Sequence, residues 1–371
     1  MELSWDQVHA WRLRRQLLAP RTTANVAEIA GRLCGIQAQV ASSAALAAHV
    51  RQARPKPGVV DRALAEGALL KTWAMRGTLH LLRASDAGCF LSVIASGRSW
   101  ERGPWQRAFG ASPKEVDALA SAVAELLDGA ALTRGELVAR IARRKGLAKL
   151  AEPLRSGWGM LLKPLAWRGV LVHGPKQGNE TTFTRPEKVS PGWKGLPAPE
   201  EAAPVVLRAY LGAYGPATLD ALDAWLGRGA VKKSLQRAWL AAMGDEVTTV
   251  DVEGRTAYLL SAHAGELARA RPSEVVRLLG GFDQWVLGPG TSDPEVVAAA
   301  HRAHVSKAAG WIAPIVLSAG RIVGVWELAG DRVKISLFRG VPPPDPEALE
   351  AEVAHLARAT GRTAPLELRV T

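Results

Sequence analysis

The sequence predicts a mainly α-helical α+β chain in which three successive units of short helices, each closed by a β-hairpin, precede a strand-rich C-terminal region. Three observations predict it. Apolar residues recur at helical spacing and then switch to alternation, again and again along the chain. The order of helices followed by a hairpin repeats three times before residue 265. Hydrophobic residues make up 48% of the 371, which is enough for a substantial core, and the length favours two to four units over one small domain.

The first unit covers residues 1–95. Residues 5–18 read as a helix with Val8, Trp11 and Leu18 inward, and 24–38 as a second with Val26, Ile29, Ala30 and Leu33 on one face. Further helices are expected at 42–53 and 59–70, the latter after Pro55 and Pro57. Lys71–Met75 and Thr78–Leu82 then read as strands around an Arg76-Gly77 turn. The second unit, 96–198, has helices at 114–128 and 152–168 and one opened by Thr133, with Glu136 completing a capping box. Its hairpin joins 170–173 to 182–184. The third unit, 199–265, has helices at 201–213, 219–226 (capped by Thr218) and 231–243, then strands 247–250 and 256–260 around Glu253-Gly254. Short helices closed by a two-stranded hairpin describe a winged helix. The C-terminal region, 266–371, holds a hairpin at 311–326, a third strand at 332–337, a Pro342–Pro344 linker and a closing helix at 346–360.

Lys and Arg number 47 against 35 Asp and Glu, a formal charge of +12. That balance points to a polyanion: nucleic acid first, an anionic membrane surface second, with Arg-rich composition from a high-GC genome as the bland alternative. No apolar run reaches ~18 residues, so a membrane span is not expected. The N-terminal Met1-Glu2-Leu3-Ser4-Trp5 lacks signal-peptide character, and Cys34 and Cys89 follow neither metal nor disulfide spacing, so a cytoplasmic setting is expected. Basic residues cluster on predicted helices: Arg12, Arg14 and Arg15; Arg140, Arg143, Arg144, Lys145, Lys149 and Arg155; Lys232, Lys233 and Arg237. Such clusters suit phosphates, although each alone also fits a solvated face. Arg76 sits at a hairpin tip, where it can meet DNA or pair with an acid.

The usual catalytic signatures are missing: no phosphate-cradling Gly-rich loop, no His-Glu-x-x-His, no Cys-x-x-Cys. His301 and His304 lack an evident third metal ligand, and a solvent-facing pair is the better reading. Asp283 reads first as turn chemistry and second as a general base. No cofactor or metal is expected. Gln37-Ala38-Gln39 stands apart. Gly35 interrupts the helical pattern before it, and on a regular helix the two glutamines would diverge by ~200°. An extended or irregular segment after Gly35 can turn both amides the same way; a plain polar loop is the competing reading.

Gly35–Val40, Thr72–Leu81 and Gly324-Val325-Trp326 together resemble the winged-helix DNA glycosylases, over nearly the whole chain. The resemblance implies three tandem winged helices in a C-shape around DNA. It implies a catalytic Gln-x-Gln or Gln-x-Asp at the concave centre, here Gln37 and Gln39, with a β-hairpin near it, for which 311–326 is the expected segment. It also implies a monofunctional glycosylase that hydrolyses the N-glycosidic bond of cationic N7-alkylguanine and unhooks interstrand crosslinks, protecting a producer from a DNA-alkylating natural product such as azinomycin. Duplex DNA carrying alkylated or crosslinked guanine is then the partner of a nucleoid-associated monomer. The expected DNA contacts are Arg76, Arg144, Lys145, Lys232, Lys233, Arg237, Trp311 and Arg321. On residue types alone, a non-catalytic transcription regulator or a crosslink-binding architectural protein fits the same winged-helix pattern.

Overall fold

The computed structural model describes residues 2–157 and 159–371; Met1, at the head of the N-terminal reading, and Trp158, inside the helix expected at 152–168, lie outside the described residues. The fold is α+β, with helices and small sheets alternating along the chain. It forms two interleaved compact units. The first combines Met1–Val60, Leu207–Trp225 and Leu240–Thr371; the second combines Asp61–Val206 and Leu226–Trp239.

The first unit is organised around a five-stranded sheet. Its spatial order follows the chain: Val276–Leu279, Ile315–Ser318, Arg321–Ala329, Arg332–Leu337 and Glu367–Val370. All pairs are antiparallel except the last. Alternate residues point to opposite faces of a strand, and both faces here are covered. Ile315 and Leu317 pack on one side with Leu13, Leu18, Val50, Phe282 and Trp285. Val316 and Val323 pack on the other with Leu349, Val353 and Leu356 of the helix Pro346–Ala359. Two-sided burial explains why 312–317 reads as a nearly unbroken apolar run.

Three helices lead into this core: α1 (Trp5–Arg15), α2 (Val26–Arg32) and α3 (Ala41–His49). Just after α3, the Arg51 guanidinium is fully buried. Its Nη1 and Nη2 donate to Asp283 Oδ2 and Oδ1, each at 2.8 Å. Nε donates to the Gln16 carbonyl at 3.0 Å and Nη1 also to the Ala47 carbonyl at 2.7 Å. Asp283 Oδ1 accepts in addition from the Trp285 N–H at 2.8 Å, so it caps the helix Gln284–Leu287. One ion pair thus joins the end of α1, the end of α3 and the segment that enters the core from the sheet.

The second unit contains a complete round of the repeated pattern. Pro113–Leu126 and Arg134–Ala142 are helices, and Thr133 and Glu136 form the expected capping box. Leu132–Thr133 pairs with Thr182–Thr184, which pairs with Val172–His173, giving three strands. The same unit holds the hairpin Leu69–Trp73 with Leu79–Arg83. Trp73, His173 and Phe183 pack as an aromatic cluster with ring centroids 5.0 to 5.9 Å apart.

Several elements are shorter than the pattern predicts, each for a local reason. The second helix stops at Arg32 rather than at 38, because Cys34 and Gly35 take positive φ values of 57° and 94°. The helix from Val59 stops at Ala65, where Gly67 at φ 71° turns the chain. The span 152–168 is two helices, Ala151–Leu154 and Leu162–Trp167, separated around Gly159 at φ 64°. Arg12 and Arg15 are held by backbone carbonyls rather than standing on a solvated face. Arg12 is buried and donates to the carbonyls of Gly215 and Pro216; Arg15 donates to that of Gly212.

Removing one partner of a buried pair leaves the other charge uncompensated, at about 3–5 kcal/mol. Arg51→Met and Asp283→Asn are each expected to lose stability on that scale in urea denaturation. A loss below about 1 kcal/mol for either would show that the pair does not hold this unit together.

Candidate active site

The glutamine segment is built by the end of α2. Leu33 is the C-cap, and the Gly35 N–H donates to the Ala30 carbonyl at 2.8 Å while that of Cys34 reaches Gly31 at 3.3 Å. These two bonds form a Schellman motif. Cys34 occupies the left-handed position normally given to glycine, at a cost of about 1–2 kcal/mol. The Leu33 carbonyl left over at the helix end accepts a hydrogen bond from the Tyr214 hydroxyl. Tyr214 is itself buried against Tyr210, and Gly288 approaches so closely that an added Cβ would stand 2.2 Å from the Tyr214 ring. The chain leaves this anchor extended, as the short strand Ile36–Gln37, and reaches Val40, the N-cap of α3. Gln37 is 5% exposed and Gln39 is exposed. Gln39 therefore lies on an open surface, whereas Gln37 is set into the fold.

Val40, the next residue, packs against the apolar cluster that includes Phe282 and Ile312. Gly281 lies between the same elements: a Cβ there would sit 2.9 Å from the Ile312 carbonyl oxygen and 3.7 Å from Ser43 Oγ in the first turn of α3. From Ile312 the chain forms a small hairpin. Ser306 and Ile312 are bridged, the Ala313 N–H donates to the Val305 carbonyl at 2.9 Å, and that of Lys307 to Trp311 at 2.8 Å. Ala309 and Gly310, at φ 55° and 74°, make its tip. Residues 307–311 are all exposed, and Trp311, at 46%, is the most exposed large apolar side chain described.

The hairpin read at 311–326 is present, with Ile315–Ser318 pairing antiparallel with Arg321–Ala329, but it does not project. The strands Ile315–Ser318 and Arg321–Ala329 are interior strands of the sheet. Their turn packs on α1, where a Cβ at Gly320 would be 2.6 Å from His9 Cβ. The projecting hairpin is 305–313, with Trp311 on it. Its signal in the sequence was Ala309-Gly310 followed by Pro314, a turn and a strand-breaker inside what reads as one strand.

Arg76 lies in the tight turn Met75–Gly77, with φ 58°. Its Nη2 is 3.3 Å from His80 Nε2, while His80 Nδ1 is 3.0 Å from the Thr78 carbonyl. A carbonyl only accepts, so Nδ1 carries the proton and Nε2 offers its lone pair to the guanidinium. Burial, reinforced by the Arg76 charge, lowers the His80 pKa to about 3. Arg76 is thus oriented by a neutral ring and its positive charge stays uncancelled by it.

Lys232, Lys233 and Arg237 are exposed, the latter two one turn apart on the helix Lys233–Ala242. Lys145 is exposed beside Arg144, which pairs with Glu125 at 3.0 Å. Arg321 pairs with Asp6 at 2.8 Å. Exposed pairs of this type are worth about 0–1 kcal/mol, so a phosphate can displace the acid. Asp283 is committed to Arg51 and to its cap and has no surface for base chemistry. His301 and His304 flank the Phe338 ring at 4.3 and 5.6 Å, and no group of three metal-binding side chains occurs among the described residues.

A family model described as "DNA glycosylase AlkZ-like" matches residues 30–359. The chain belongs to this DNA glycosylase family. An "Interstrand DNA cross-link repair glycosylase" from Streptomyces sahachiroi is 52% identical over 362 residues, covering 97% of this chain and 98% of the relative. The solved structure of the Streptomyces sahachiroi DNA glycosylase AlkZ superposes with a TM-score of 0.97 at 51% identity, with both chains fully covered. The glycosylase described here is therefore an enzyme of N-glycosyl bonds. Among the described residues, no helix is long and apolar enough to cross a membrane.

His173 is half-buried and, like the buried His80, neutral, its pKa lowered to about 3 first by desolvation. Below their ordinary value of 6.5, the unfolded chain takes up protons that the native state refuses. Stability should therefore fall as pH drops from about 6.5 towards 3, by about 1.4 kcal/mol per pH unit for each ring. His80→Gln is expected to remove one ring's share of that slope in denaturation midpoints measured between about pH 6 and pH 4. An unchanged slope would contradict the neutral assignment.

Proposed function

We propose that the chain is a monomeric, monofunctional glycosylase that excises cationic N7-alkylguanine from duplex DNA and unhooks interstrand crosslinks, conferring self-resistance to a DNA-alkylating natural product. Its three helix-and-hairpin rounds are read as tandem winged helices at 1–95, 96–198 and 199–265, in a C-shape around DNA and followed by the 266–371 region. It works in the cytoplasm at the nucleoid. The crosslink-repair relative supports the substrate class, and the exposed Lys145, Lys232, Lys233 and Arg237 support a phosphate-binding surface.

The observation that carries the reading is the anchored Gln37-Ala38-Gln39 segment, one amide set into the fold and the other open. Neither side chain ionises at pH 7, so neither removes a proton. An amide oxygen can accept a hydrogen bond from water, orient it, and turn a dipole towards positive charge at the sugar. Alkylation at N7 has already made the base cationic. As the C1′–N9 bond breaks, its electron pair leaves with the purine and neutralises it. Water adds to C1′, and its surplus proton passes to solvent. Gln39, exposed, is assigned the water; Gln37, held firmly, is assigned the dipole facing the oxocarbenium-like sugar.

With an N7-methylguanine duplex, release of the free base, identified by mass, is expected for the natural chain. Gln37→Ala and Gln39→Ala should each slow it by about 10²-fold or more while DNA affinity changes little. Full activity in both variants would remove the glutamines from the mechanism. No lysine nucleophile is assigned, so borohydride should trap no protein–DNA adduct, and a trapped adduct would replace hydrolysis with lyase chemistry.

A further inference from the structure

An exposed tryptophan on a projecting turn is exceptional in a chain that buries most of its aromatic side chains, and this one is held in place. Trp311 meets the Phe282 ring edge-on, with centroids 4.9 Å apart and planes at 76°. Phe282 is 8% exposed and takes a left-handed φ of 61°. A bulky residue in that conformation is strained, and such strain persists only where the surroundings impose it. Here they do: Gly281 on one side tolerates no side chain against the Ile312 carbonyl, and Asp283 on the other is locked to Arg51. The buttress is therefore rigid, and the indole it supports faces solvent. Residues 305–313 contain Lys307 and no Asp or Glu, so the hairpin offers a cationic ligand no carboxylate.

We propose that Trp311 is the stacking platform for the cationic purine, a specificity-determining residue that selects the alkylated base by cation–π attraction. The inference rests on the glycosylase reading above and names the group that recognises the lesion. Indole is the strongest of the aromatic side chains in this role, and stacking tolerates a base that is tied to the other strand and cannot rotate fully out of the helix. The platform belongs to the same unit as the glutamines. Val40, which follows Gln39 directly, packs into the cluster that holds Phe282, the indole's support, and Ile312, the residue after Trp311.

The test uses single-turnover excision from an N7-methylguanine duplex, with affinity for the undamaged duplex as control. Trp311→Phe should stay within about threefold of the natural chain, since an aromatic face remains. Trp311→Leu, similar in apolar bulk but without a π face, and Trp311→Ala should both fall about tenfold or more, with affinity for undamaged DNA within about twofold. If Trp311→Leu excises as well as the natural chain, the side chain acts as an apolar wedge and the proposal is overturned. It is equally overturned if undamaged-DNA affinity falls in step with excision. Absence of base release by the natural chain would instead sink the glycosylase substrate reading, independently of Trp311.

Discussion

The buried Arg51–Asp283 pair is the constraint on which the first unit depends. Arg51 takes both carboxylate oxygens and two backbone carbonyls, and Asp283 accepts the N–H that starts a helix. A guanidinium is hard to desolvate, and only this density of partners makes its burial tolerable. The geometry leaves little freedom to the elements attached. The end of α3 is pinned through Ala47 and Arg51, and the Gly280-Gly281-Phe282 segment is pinned through Asp283. The glutamines precede α3, and Trp311 leans on Phe282. The two groups assigned to chemistry and recognition thus hang from opposite sides of one ion pair.

Charge elsewhere is handled with the same economy. Arg76 meets His80, a ring that burial keeps neutral. Gln37-Ala38-Gln39 and the 305–313 hairpin contain no carboxylate. A glycosylase acting on a neutral base needs an acid to protonate the leaving group. A base that already carries positive charge needs only a place for water, a dipole near the sugar, and a surface that welcomes a cation. The proposed roles of the Gln37 and Gln39 amides and the Trp311 indole match those needs without a carboxylate.

Much of this was legible in the residues. The three rounds of helices and hairpin, the Thr133–Glu136 capping box and the Glu253-Gly254 turn follow from local chemistry, and local chemistry is visible in a sequence. Gly35, by breaking a helical pattern, set the Gln-x-Gln segment apart, but only the family resemblance gave it a role over a plain polar loop. What escaped was long-range. Arg51 looks like any arginine at a helix end, and its partner lies 232 positions away. Tyr214 gives no sign that its hydroxyl will cap α2. Arg12 and Arg15 looked like phosphate ligands because helix-borne arginines commonly are; the carbonyls that claim them come from a distant segment. The projecting hairpin was hidden in an apolar run whose second half is a buried strand.

The central claim is that the positive charge on the base, and not an acid on the protein, makes the leaving group depart. It is tested most directly by comparing base release from two duplexes of identical sequence, one carrying N7-methylguanine and the other its uncharged 7-deaza-7-methyl counterpart, which has nearly the same shape. The account predicts rapid release of the cationic base and none of the neutral one, although both duplexes bind. Comparable release of the two would contradict it, because the glutamine site would then be supplying acid catalysis that amides cannot provide.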